Sequence, residues 1–283
     1  MHGPLKQPTA ARSTRRNFAK MARGSWLGRS LAVTTILLSF AVHSHPQSIR
    51  LSDSQAVRIG TKIWQNESGV TIAGLTAWNY GEDFASLGIG HFIWYPAGRR
   101  GPFEESFPLL LRYLETKDVK IPVWLLKSES CPWPDRSRFL ADQRSVRMEE
   151  LRSLLTRTVS WQAKFAAARL EAALPKMLDA APASEREKIR KAFYRVAAEP
   201  LGPYALVDYV NFKGEGTLAS ERYQGEGWGL LQVLELMGDG PALPEFRQAA
   251  ESVLTRRVKN SPPERGESRW LPGWKNRIRT YTE

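Results

Sequence analysis

The chain has 283 residues, of which 42% are hydrophobic and 25% are charged, a composition that excludes an intrinsically disordered protein and suffices for a buried core. The formal net charge is +12, but residues 1–44 hold seven basic residues and no acidic one, which leaves 34 basic against 29 acidic residues, or +5, for the remainder. This small excess argues against a nucleic-acid partner and is compatible with an anionic polymer.

The first 44 residues predict an export signal. Basic residues extend to Arg29, the apolar segment 31–41 follows, and small residues then suit cleavage before His45. The apolar segment has about 11 residues, whereas a membrane-spanning helix needs about 20. We therefore expect an exported protein, periplasmic or extracellular, with no membrane span after signal cleavage. The alternative is an uncleaved N-terminal anchor.

Cys131 is the only cysteine, so an internal disulfide and a cysteine-based metal cluster are both excluded. It lies in the rigid, proline-flanked stretch 130–134, which favours a structural thiol over a nucleophile paired with His91. We expect neither a cofactor nor a metal site.

After the signal, the chain begins with a predicted helix and a predicted hairpin. Residues 52–55 (S-D-S-Q) match a capping box, and Gly69 ends the helix. Residues 70–78 and 84–95 are rich in β-branched and aromatic side chains, and the turn-prone residues 79–83 separate them.

Helices dominate from residue 106 onward. The proline-rich stretch 122–134 predicts a surface loop or linker, and Pro175 predicts a break or a kink near the end of a long amphipathic helix. The predicted helices cover residues 107–115, 145–178, 184–199, 204–212, 228–237 and 244–258. The predicted class is α+β, mostly helical, with a small β-hairpin subdomain on a helical body.

Glu67 is the best candidate for a catalytic acid. It follows Ile63 by four residues and Ile59 by eight, which places it on the apolar face of its helix, near the C-terminal end. Apolar surroundings and a helix C-terminus both disfavour a carboxylate anion, and a general acid has to hold its proton. The alternative is a surface glutamate at a fraying helix end.

The segment after Glu67 resembles an active-site hairpin. Residues 86–91 read S-L-G-I-G-H, which is similar to the hairpin of the phage-type lysozymes, enzymes that cleave peptidoglycan between its amino sugars. In that family a helix ends near the catalytic glutamate, and a threonine precedes G-I-G-H closely. Ser86 takes the place of that threonine.

Two further stretches resemble the same family, in the same order. Residues 205–216 (A-L-V-D-Y-V-N-F-K-G-E-G) are similar to its A-L-V-D-F-x-F-N-x-G-x-G, with asparagine and phenylalanine transposed, and residues 271–277 (L-P-G-W-K-N-R) are similar to its L-P-G-L-x-x-R-R. The interval between His91 and Asn211 is longer than in the family, which implies a helical insertion at about 115–180.

The resemblance implies a lysozyme-like domain over residues 45–283 that hydrolyses peptidoglycan or a related amino-sugar polymer, with Glu67 as general acid. A hydrolase of this kind uses a second carboxyl group, which activates water or stabilises the transition state. This second carboxyl group does not fall at the family's spacing, because Thr76 occupies the position counted from Glu67 and Tyr80 the position counted from Ser86. Glu82 and Asp83 are the remaining candidates in the longer turn.

The resemblance also implies roles for the polar residues around the hairpin. Ser86 is expected to hold the attacking water, and His91 to orient the hairpin through hydrogen bonds and border the substrate. Asn211 and Gly214 are expected to bind substrate. Asn79 is an uncharged alternative to the second carboxylate.

Three other functions stay open. A lytic transglycosylase is suggested by residues 227–233 (G-W-G-L-L-Q-V), similar to that family's Gly-Leu-Met-Gln stretch, and by Glu67-Ser68. A non-catalytic peptidoglycan-binding module is suggested by the displaced second carboxylate. A protein that docks a partner on the helical insertion predicts an exposed apolar stripe along residues 145–178.

Overall fold

The computed structural model describes residues 48–283, which belong to one compact unit. The predicted signal segment, 1–44, lies outside the described residues. The described part is mostly helical and contains a three-stranded and a two-stranded antiparallel sheet, which confirms the predicted α+β class at this level. Among residues 48–283, no helix combines the length and apolarity needed to cross a membrane.

The described residues form eleven α-helices and five β-strands. The helices are α1 Asp53–Ser68, α2 Phe107–Glu115, α3 Val123–Leu126, α4 Arg136–Ala141, α5 Val146–Arg157, α6 Val159–Ala180, α7 Arg186–Ala197, α8 Gly202–Lys213, α9 Leu230–Leu236, α10 Ala242–Asn260 and α11 Leu271–Arg279. The strands are β1 Thr76–Ala77, β2 Ala85–Leu87, β3 Phe92–Trp94, β4 Arg222–Tyr223 and β5 Glu226–Gly227.

Helix α1 begins and ends where the sequence predicts. The Gln55 backbone N–H donates to Ser52 Oγ at 3.2 Å, and the Ser52 N–H donates to Gln55 Oε1 at 3.0 Å, which completes the capping box. Gly69 ends the helix in the left-handed region, at φ 62°. Ile59 and Ile63 are buried, so this face packs into the core.

The predicted hairpin is a three-stranded sheet. Ala77 of β1 pairs with Ser86 of β2, and Ser86 pairs in turn with Ile93 of β3. The prediction of one continuous strand over 84–95 was wrong, because the chain reverses at Gly88, where φ is +76°. The first predicted strand is also shorter, since Ala73–Leu75 forms a 3₁₀ turn.

Two further predictions were wrong in the helical part. The stretch 122–134 is not a surface loop, because it contains α3 and buries Leu125, Cys131 and Trp133 in the core. The long helical segment breaks at Thr158 rather than at Pro175, and α6 continues through Pro175 to its end. Pro175 is exposed, so its ring has room on the solvent side.

Helix α6 lies at the centre of the helical body. It packs against α1, α2, α7 and α8, so the predicted insertion 115–180 contains a core element. The apolar residues of α5 and α6 are mostly buried, and within 145–178 only Val146 is a largely exposed large hydrophobic residue. The exposed apolar stripe expected for partner docking is therefore absent from 145–178.

Candidate active site

A cleft of about 870 Å³ lies between the three-stranded sheet, α6, α8 and the loop that follows α8. Six of the seven predicted site residues line it: Glu67, Glu82, Ser86, His91, Asn211 and Gly214. The seventh, Asp83, is not among the lining residues. Its side chain is 72% exposed and pairs with Arg99, with 2.7 Å between Oδ1 and Nη1.

Glu67 stands where the three sequence stretches meet. His91, which ends the G-I-G-H stretch, has its Nδ1 3.4 Å from Glu67 Oε2. Arg277, which ends the 271–277 stretch, contacts Glu67 Oε1 through Nη2. The same Nη2 lies 2.8 Å from Oδ1 of Asp208, in the 205–216 stretch. Residues far apart in sequence therefore surround one carboxyl group.

Asp208 is the buried centre of this network. Its carboxylate accepts hydrogen bonds from Asn66 Nδ2 at 3.0 Å, from Arg277 Nε at 2.9 Å and from the Tyr281 hydroxyl at 2.7 Å. The side chain has no solvent exposure. Several donors directed at one carboxyl group fix its orientation, so Asp208 in turn holds the Arg277 guanidinium that contacts Glu67.

Arg277 is shared between two carboxyl groups. Burial alone lowers the pKa of Arg277, but hydrogen bonds and charge from Asp208, with a further contribution from Glu67, raise this pKa overall. One guanidinium thus bridges Asp208 and Glu67. Asp208 is saturated with donors, whereas Glu67 is at the cleft.

The Glu67 side chain does not face the apolar surroundings expected from its place on α1. Its side chain is 16% exposed and faces Arg277 and His91. The spacing on α1 correctly turns this residue inward, but the groups opposite it come from other elements and include a permanent cation. Asp208 and Arg277 lie in the stretches 205–216 and 271–277 that resemble the lysozyme family, but no role was predicted for either residue from the sequence.

The hairpin turn supplies Glu82 to the same cleft. Asn79 Nδ2 donates to Glu82 Oε2 at 3.1 Å, and the indole N–H of Trp78 donates to the Glu82 carbonyl oxygen at 2.7 Å. Thr76 is buried and accepts a hydrogen bond from Arg152, whereas Tyr80 is 93% exposed. The turn therefore presents a carboxyl group at Glu82, and Asn79 holds it.

Helix α6 fixes the turn of the G-I-G-H stretch. Gln162 is buried, and its Oε1 accepts the Ile89 backbone N–H at 2.9 Å. A Cβ at Gly88 would collide with Gln162 Oε1, so this close approach requires glycine. Nothing in the sequence of α6 singled out Gln162. Within residues 48–283, the buried Nε2 of His91 has no hydrogen-bond partner.

The α8 side of the cleft ends in Asn211 and Gly214. Asn211 is exposed, and Gly214 has φ +84°, with Glu221 Oε1 occupying the space of a Cβ. The Gly216 N–H donates to Glu221 Oε2 at 2.9 Å. This loop is therefore held in one conformation beside Asn211.

The described residues show neither a metal cluster nor a thiol nucleophile. No three His, Cys, Asp or Glu side chains converge as metal ligands in residues 48–283. Cys131 is buried, and desolvation raises the pKa of its thiol to about 12, which suits a structural thiol.

Comparison with protein-family models, with curated proteins and with solved structures gives no match. The functional assignment accordingly depends on the motifs and on the geometry of the cleft.

Proposed function

We propose that this chain is an exported, lysozyme-like hydrolase that cleaves peptidoglycan or a related amino-sugar polymer. The observation that carries the proposal is the meeting of the three family-like stretches at Glu67, on the wall of the cleft. If the three similarities to the family were due to chance, we would not expect residues from all three stretches to meet at one carboxyl group.

Glu67 acts as the general acid in this proposal. It protonates the glycosidic oxygen as the bond to the sugar breaks, and Arg277 and Asp208 hold its side chain in place. After proton transfer, the Arg277 guanidinium faces the carboxylate that forms.

Glu82 is the second carboxyl group. It activates the attacking water or stabilises the cationic transition state, and Ser86 hydrogen-bonds that water. His91, Asn211 and Gly214, which line the same cleft, contact the sugar. The choice of Glu82 over Asp83 is supported by its place in the cleft and by the pairing of Asp83 with Arg99.

The test is digestion of purified sacculi, with mass spectrometry of the soluble products. We expect the parent protein to release fragments with reducing ends, and Glu67→Gln to release none while it still unfolds in a cooperative thermal transition. Glu129→Gln, an exposed carboxyl group that does not line the cleft, is the matched control and should cleave normally. Cleavage by Glu67→Gln contradicts the proposal.

A non-catalytic glycan-binding protein is the second candidate. It is favoured by the direct contact between the Arg277 guanidinium and Glu67, because a partly buried ion pair of this kind is equally expected of a carboxyl group with a structural role. Co-sedimentation of the parent and of the Glu67→Gln protein with sacculi, without released fragments, supports this candidate.

The transglycosylase alternative has less support. The stretch 227–233 does not line the cleft. Its Gln232 bonds the Gly229 N–H at 3.1 Å and the Gly216 carbonyl oxygen at 3.2 Å, which is a structural role. Anhydro-sugar ends among the released fragments would identify this activity in place of hydrolysis.

A further inference from the structure

An exposed aromatic side chain lines the cleft on the side of the sheet. Phe103 is 56% exposed and belongs to the loop between β3 and α2. Its ring meets Phe84 edge-on, with 5.9 Å between centroids, and Phe84 packs in the same way on Tyr95 at 5.3 Å. Phe84 also borders the cleft, so Phe103 is the accessible end of a row of three rings.

The loop that carries Phe103 is held at several points. The Tyr95 N–H donates to Glu105 Oε1 at 2.9 Å, and the Ile93 N–H donates to Ser106 Oγ at 2.9 Å. Glu104, directly after Phe103, pairs with Arg169 of α6 at 2.5 Å. The chain is therefore anchored directly after Phe103, although half of the Phe103 side chain faces solvent.

The wall formed by α6 leaves room in the same cleft. Small side chains, Ala166 and Ala173, line it there, and the long side chains of Arg169 and Lys176 are drawn to carboxylates of neighbouring loops, Glu104 and Glu215. A rigid, half-exposed ring in a cleft with free space suits a ligand that has an apolar face, because burying that ring removes apolar surface from water.

We propose that Phe103 stacks against the apolar face of a pyranose ring and forms a sugar subsite of the cleft. This inference rests on the proposed function and specifies how the cleft binds a glycan at a distance from the carboxyl groups. Phe103 is a substrate-positioning residue in this proposal, and it takes no part in proton transfer.

Binding without turnover provides the test. The Glu67→Gln protein is titrated with the hexamer of N-acetylglucosamine, and the dissociation constant is measured by calorimetry. Adding Phe103→Ala should weaken binding by about tenfold, the upper range for an aromatic stacking contact. The Glu67→Gln protein with Phe103→Trp in place of Phe103→Ala should bind the hexamer as tightly as the Glu67→Gln protein itself. Leu126→Ala, an exposed apolar residue that does not line the cleft, is the control and should leave the affinity unchanged.

The possible outcomes separate this inference from the function on which it rests. Equal affinity of the Phe103→Ala and parent Glu67→Gln proteins overturns the stacking role and leaves the proposed function intact. Failure of the Phe103→Trp variant to restore binding overturns the role as well. If the Glu67→Gln protein binds no hexamer and the parent cleaves no sacculi, the proposed function fails and the subsite with it.

Discussion

Glu67 and Glu82 line one cleft but are held in different ways. Glu67 is positioned by residues from the sheet, α8 and α11, around the buried carboxylate of Asp208. Glu82 belongs to a turn and is held by its neighbours Asn79 and Trp78. The contrast shows that one carboxyl group depends on the assembled tertiary structure and the other on a segment of five residues, 78–82.

The surroundings of Glu67 and of Glu82 should therefore respond differently to mutation. Damage to the Glu67 network should affect the stability of the whole unit, because the network joins elements that are distant in sequence. Damage at the turn should affect chemistry and leave the fold intact.

Removal of the buried anion is expected to have the largest effect on stability. Asp208→Ala leaves the Arg277 guanidinium without its main partner in a buried site, which should lower the free energy of unfolding by about 3–5 kcal/mol. Asp83→Ala removes a solvent-exposed pair with Arg99 and should cost less than about 1 kcal/mol. Urea denaturation of both variants measures the difference, and equal losses would show that the Glu67 network does not hold the fold.

Substitution in the turn should affect cleavage and spare stability. If Glu82 is the second carboxyl group, Glu82→Gln should lower the rate of sacculus digestion by about 100-fold, roughly 3 kcal/mol of transition-state stabilisation. The matched variant Asp83→Asn should retain nearly the full rate. The reverse result would move the role to Asp83, and full activity of both variants would remove the second carboxyl group from the mechanism.

A smaller, pH-dependent effect is expected at Lys213, at the end of α8. Its Nζ lies 3.3 Å from the ring centroid of Trp274. Burial, with a further contribution from the charge of Arg257, lowers the pKa of Lys213 to about 6, although the charge of Glu267 opposes the shift. The unfolded chain keeps this amine protonated up to about pH 10. Between pH 6 and 10 the unfolded state therefore binds the extra proton, and stability rises with pH.

Lys213→Met removes this proton uptake. At neutral pH the variant should be more stable than the parent, and its advantage should shrink by about 1.4 kcal/mol per pH unit between pH 7 and pH 10. Denaturation curves at several pH values measure the difference. An advantage that does not change with pH would show that Lys213 is protonated in the folded protein.

Local signals in the sequence predicted much of the secondary structure. The capping box at Ser52 and the glycine at position 69 predicted both ends of α1, and the bounds of α2 agree with the prediction. These signals depend on side chains that bond their own backbone or on backbone conformations that only glycine adopts easily. Such preferences act within a few residues.

The same reasoning failed where packing overrides local preference. The prolines of 122–134 are typical of a loop, yet the apolar residues between them are drawn into the core. Pro175 does not end α6, because Leu174 and Met177 on either side are buried. Burial of apolar surface outweighs the loss of one backbone hydrogen bond here.

The sequence by itself determined that Glu67 turns inward at the end of α1 and that a turn with acidic residues follows. Periodicity and turn chemistry suffice for these features, because they concern neighbours along the chain. Only the tertiary structure decided that Arg277 and Asp208 surround Glu67, that Gln162 of α6 holds the turn at Gly88, and that Glu82 rather than Asp83 lines the cleft. Each of these depends on contacts between elements up to 210 positions apart, and on charges and packing that no local pattern encodes.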